Sequence, residues 1–169
     1  MPASTDYELL ARAADFTLRN AQEVEEKILK ELETRADTPH VDALRMLTIQ
    51  RTIVAIGTVQ AFEGLLQLNK GWTNAFKELD AQMRLTGHVD LAERFDYLLN
   101  AINALKHGHG RSYNKLEPQR ASLPFAVLPR GERFFNEGDV SEVPRLVDVD
   151  GKFVEQCSEI IREIARVIG

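Results

Sequence analysis

Apolar residues recur at helical spacing along most of the chain. Over residues 6–33 they are Leu9, Leu10, Ala13, Phe16, Val24, Ile28 and Leu32, with Glu8, Arg12, Asp15, Arg19, Glu26 and Lys30 between them. That pattern predicts an amphipathic helix with its apolar stripe inward and its charges in water, opened by Thr5 or Asp6 as cap. Thr38-Pro39 interrupts it. Residues 40–68 predict a second helix that is apolar on more than one side, through Val41, Leu44, Leu47, Ile53, Val54, Ile56, Val59, Phe62, Leu65 and Leu66. Such a helix is central in its bundle or covered by a partner subunit. Gly57 and Gly64 share one of its faces, where they permit close helix approach. After a turn at Asn69-Lys70-Gly71, a third helix is expected over 72–85 on the stripe Trp72, Phe76, Leu79 and Met83. A fourth is expected over 89–107 on Leu91, Phe95, Leu98, Leu99, Ile102 and Leu105, with Gly108 placed as its terminating glycine.

The pattern changes over 108–151. This stretch holds Pro118, Pro124, Pro129 and Pro144 and short β-like pieces at 124–128, 133–135 and 145–149. Its aromatic and aliphatic residues require burial, which predicts an ordered irregular insertion rather than disorder. Asp150 is positioned to cap a last helix over 152–168, with Phe153, Cys157, Ile160, Ile161, Ile164 and Val167 inward. The expected architecture is one all-α domain over residues 1–169. It is a bundle of about five helices with a short β-containing or irregular insertion before the last.

Composition narrows the functional classes. At 169 residues and 44% hydrophobic content the chain can bury a sizeable core. No apolar run approaches a bilayer span of roughly 18 residues, and Met1 to Leu10 does not read as a signal peptide. A lone cysteine, Cys157, excludes an internal disulfide and a cysteine zinc cluster. A soluble cytoplasmic protein without membrane association is expected. The net charge of −5 does not favour general nucleic-acid affinity, so any anion site has to be local.

One such place exists. Asp96, Asn100, Asn103 and His107 fall on one face of the fourth helix, and asparagine is a poor choice for an exposed helical surface. Past them the chain reads Lys106-His107-Gly108-His109-Gly110-Arg111, and from Lys106 to Arg120 there are four bases, two histidines and one acid. Cations here also compensate the helix dipole, and the asparagines could tie the helix to a neighbour, so a purely structural explanation stands beside a functional one.

The chain resembles the HEPN superfamily of small, often dimeric α-helical bundles found in defence, toxin–antitoxin and RNA-processing systems. The resemblance lies in the apolar second helix ending Ala61-Phe62-Glu63-Gly64-Leu65-Leu66 and the later helix ending Asn100-Ala-Ile-Asn103-Ala-Leu-Lys106-His107-Gly108. It covers about the first two-thirds of the chain. Nuclease members carry Arg-Asn-x-x-x-His and join two such sites across a dimer. Asn103 and His107 match the polar and histidine positions, while Ile102 stands where the arginine would be. Arg35 to His40 matches literally but crosses an inter-helix loop containing Pro39. Arg94 lies more than three turns from His107.

The resemblance and the polar stripe together imply a non-catalytic binding module, homodimeric, for RNA, a nucleotide or a protein partner in a bacterial defence or toxin–antitoxin setting. Its ligand-binding residues would be Asn100, Asn103, Lys106, His107 and Arg111. An alternative is a divergent metal-independent ribonuclease with His107 catalytic, since an imidazole can exchange protons near neutral pH. Another is an immunity-type protein–protein module using the acidic face of the first helix. No cofactor is implied. No metal site is expected either: Asp96 is roughly 16 Å below His107 by helix rise, and the Asp148-x-Asp150 stretch lacks the glycine of a calcium loop.

Overall fold

A computed structural model describes residues 3–34, 38–132 and 143–169. These residues form six α-helices: α1 (Ala3–Leu32), α2 (Thr38–Lys70), α3 (Ala75–Leu85), α4 (Val89–His107), α5 (Arg111–Leu116) and α6 (Gly151–Ile168). A 3-10 turn over Glu117–Ser122 continues α5. The protein is an all-α bundle, and no strand forms among the described residues. No helix among them is long and apolar enough to cross a membrane.

The long helices α1, α2 and α6 pack against one another, α4 lies against α2 and α6, and α3 joins α2 to α4. Aromatic rings mark their junction. Phe62 of α2 meets Tyr7 of α1 edge-on at 5.4 Å between ring centroids and Phe95 of α4 at 6.1 Å. Phe76 of α3 meets Phe95 at 5.3 Å. Edge-to-face pairs of this kind add to what area burial alone contributes.

The buried face of α1 differs from the expected one. Tyr7, Ala11, Ala14, Leu18 and Ala21 are buried, whereas Leu9, Phe16 and Val24 are 63, 59 and 45% exposed. The inner stripe is largely alanine because α1 is wedged between α2 and α6, and small side chains let the backbones approach. Glu8 and Asp15, expected to face water, meet α6 instead. Arg162 donates through Nε to Glu8 at 3.2 Å and through Nη2 to Asp15 at 2.5 Å. Two acids of the supposed acidic docking face are therefore neutralised inside the chain.

The insertion also departs from the reading as irregular or β. Its first part is helical, α5 and the 3-10 turn. The β-like pieces at 124–128 and 145–149 meet only at an antiparallel bridge between Val127 and Val147, closed by Leu128 N–H to Leu146 O and Asp148 N–H to Ala126 O, both 2.9 Å. The piece at 133–135 lies outside the described residues. The remaining boundaries follow expectation within a few residues, although Trp72 precedes α3. Asp150 caps α6, its Oδ1 accepting from Phe153 N–H at 2.8 Å. Phe153, Cys157, Ile160, Ile161 and Ile164 are buried, as the spacing requires.

Candidate functional site

The sequence singles out the end of α4, and α5 determines what that end becomes. The N–H of Gly108 closes on Ala104 O at 2.9 Å. Its φ of 72° then turns the chain out of the helix in a conformation that suits glycine. Three residues later α5 begins and runs back along α4. Lys115 Nζ reaches Asp96 Oδ2 at 2.5 Å, and Tyr97 donates from its hydroxyl to Gln119 Oε1 at 3.3 Å. Ala101 and Ala104, buried on the same side of α4 as Tyr97, leave room for this approach.

The predicted residues divide into two sets. Asn100 and Asn103 are half-buried along the flank that α5 shares. The amide of Asn100 is used locally, donating to the Asp96 carbonyl at 2.7 Å. Lys106, His107 and Arg111 are exposed at the corner where the chain reverses, and among the described residues they engage no ion-pair partner. Asp96, at the foot of the polar stripe, is held by Lys115 and is separate from the corner.

Two residues that spacing alone did not place join this corner through Tyr113. The Tyr113 ring is buried, and its hydroxyl donates to Leu128 O at 2.7 Å. Burial raises its pKa above the ordinary phenol value. His109 stands edge-on to this ring with centroids 4.8 Å apart, and the Arg130 guanidinium lies 5.9 Å from its centre. Arg130 also donates to Asn114 Oδ1 at 2.8 Å, and its main-chain N–H to Glu117 Oε1 at 2.9 Å. The chain after the 3-10 turn is thus pinned back on α5 and delivers a further cation. In the sequence the signal was only Tyr113 two residues beyond Arg111, with no indication of what it would hold.

Chemically the corner is an exposed cluster of cationic and imidazole side chains. Two surface clefts among the described residues lie away from it, one of about 360 Å³ lined in part by Arg120, Phe125 and Lys152 and one of about 390 Å³ beside Arg94 and Glu163. Ile102, in the position of the motif arginine, is 1% exposed and belongs to the core. Arg94 is committed to α6, donating through Nη1 to Glu163 Oε1 at 3.2 Å, and this contact holds the Glu163 carboxyl below its usual pKa range. No group of three His, Cys, Asp or Glu side chains able to hold a metal ion occurs among the described residues. Compared with protein-family models, curated proteins and solved structures, the chain finds no match.

Proposed function

We propose that this chain is a non-catalytic HEPN-like module that binds single-stranded RNA by its phosphate backbone at the α4–α5 corner. It acts as a cytoplasmic homodimer in a bacterial defence or toxin–antitoxin system. The observation that carries this reading is the exposed group Lys106, His107, His109 and Arg111, without ion-pair partners among the described residues, in a chain of net charge −5. An acidic protein repels polyanions in general, so a polyanion is held only where such charges gather. Several separate exposed charges suit a repeating phosphate backbone better than a single nucleotide, which calls for an enclosing pocket. Binding is favoured over cleavage because the position of the nuclease arginine is occupied by a core isoleucine, which leaves no cation there for the charged transition state.

The test is incubation of labelled total RNA in EDTA with wild type, His107→Ala and a Lys106→Glu/Arg111→Glu double variant, read by gel. A shift without cleavage is expected. The double variant should bind at least about tenfold more weakly, with its thermal midpoint close to wild type because both side chains are exposed. Cleavage by wild type and not by His107→Ala would make the protein a ribonuclease. Neither cleavage nor shift would remove RNA as the ligand.

A further inference from the structure

The outer face of α2 has no explanation within one chain. Every exposed position from Met46 to Asn69 is uncharged, although 28% of the residues are charged. The exposed face of α1, by contrast, carries Glu8, Arg12, Arg19, Glu23, Glu26 and Lys27 among its apolar residues. Met46, Ile49, Ile53 and Leu68 on α2 are 63, 47, 65 and 81% exposed. The core-facing residues of α2, such as Val59 and Phe62, lie on its opposite side. The outward stripe is about 33 Å long by helix rise.

Its glycines make a second, independent observation. Gly57 and Gly64 lie inside a regular helix, where glycine costs up to about 1 kcal/mol against alanine. Neither has a positive φ, and a Cβ built on either would meet nothing within 4 Å. Neither in-chain packing nor backbone conformation calls for them. A second helix lying close against this face would.

The distribution of bulk indicates which helix. The N-terminal half of the stripe is large (Met46, Ile49, Ile53), and the C-terminal half is small (Gly57, Ala61, Gly64) until Leu68, with the flexible Gln60 and Gln67 along its edge. In an antiparallel pair with its twofold axis at Gly57, Ile53 of each copy faces Ala61 of the other, Ile49 falls beside Gly64, and Met46 meets Leu68. Knobs then sit over notches along the whole length, and the same patch serves both copies, as a twofold interface requires. A parallel pair would set bulk on bulk and leave the glycines facing a gap. The four large side chains and the small and glutamine positions between them present several hundred Å², of the order of the roughly 800 Å² per partner in a standard interface.

We infer that the outer face of α2 is a self-association surface on which two copies of this chain pair antiparallel across Gly57. The inference deepens the homodimer of the proposed function and is independent of what binds the α4–α5 corner. Because Phe62 turns toward Phe95 of α4 on the other side of α2, such pairing directs the two corners away from each other, so each binds by itself.

Sedimentation of the full chain over a range of concentrations tests it, with RNA binding measured separately. Wild type is expected to be a dimer. Ile53→Asp should be monomeric at unchanged helicity. Gly57→Gln, which has open space in a single chain, should weaken association at least about tenfold. For orientation, Gly57→Cys should oxidise to a covalent dimer, and Met46→Cys should cross-link only when mixed with Leu68→Cys. A wild type that is monomeric throughout, or a dimer indifferent to both Ile53→Asp and Gly57→Gln, overturns the surface. Cross-linking of Met46→Cys to itself overturns the antiparallel pairing.

Discussion

Cys157 occupies the inner face of α6 among Phe153, Ile160, Ile161 and Ile164. Burial raises its thiol from an ordinary value near 9 to about 12, because a thiolate there would lose its hydration without gaining a cation. A raised pKa for an acid means that the unfolded chain ionises first. Stability is therefore unaffected by this group below about pH 9 and falls as the pH climbs from there toward 12, by up to about 1.4 kcal/mol per pH unit. Denaturant melts of wild type and Cys157→Ala across this range should show the steeper alkaline decline in wild type. Iodoacetamide at pH 8 should label the thiol only in urea. Equal pH slopes, or labelling of the native protein, would mean the side chain is accessible.

The contact between α1 and α6 is the most extensive one between elements, and a single guanidinium supplies its ion pairs. Arg162 is 22% exposed and bridges Glu8 and Asp15, seven residues apart on α1. With partners this open to water the bridge contributes modestly. Arg162→Met, which keeps the packing of the stem, should lower stability by about 1 kcal/mol in low salt and by less in high salt. No loss at either ionic strength would leave the joint to apolar packing alone. The same joint explains where sequence patterning succeeded and where it failed. On α4 and α6 the large apolar residues coincide with the buried face, so Phe95, Ile102, Phe153 and Ile161 could be read from spacing. On α1 they do not. The burying stripe is alanine with Tyr7 and Leu18, and hydrophobicity alone ranks Leu9 and Phe16 above it. The corner residues Lys106, His107 and Arg111 were legible as a charge cluster. The contributions of α5 and Arg130 were not, because they depend on Tyr113 reaching Leu128 O, a contact across fifteen residues of chain.

For the whole molecule, the balance between net charge and local charge sets the ionic behaviour. Lys106, Arg111 and Arg130 form the permanent cationic part of the corner. If all three touch phosphates of a short single-stranded RNA, the affinity should fall with salt at a log–log slope of about −2, at roughly 0.7 per contact. Titrations at several potassium chloride concentrations measure it. A slope near zero would point to contacts with bases or sugars, and a much steeper one would bring in cations beyond the corner. Removing Arg130 should lower the slope by somewhat less than one.

The packing of the first helix on the last also governs how the chain comes into being. During synthesis α1 and α2 can meet as soon as both have emerged, Tyr7 against Phe62, but the flank of α1 that carries Glu8, Asp15 and Leu18 lacks its cover until α6 leaves the ribosome. At roughly 5–20 residues per second that interval is on the order of ten seconds. Through it the nascent chain holds an open seam, with Glu8 and Asp15 still awaiting Arg162. Folding of this bundle is thus closed by its final segment, and a ribosome stalled within the insertion would present an unfinished hairpin to the chaperones and proteases around it.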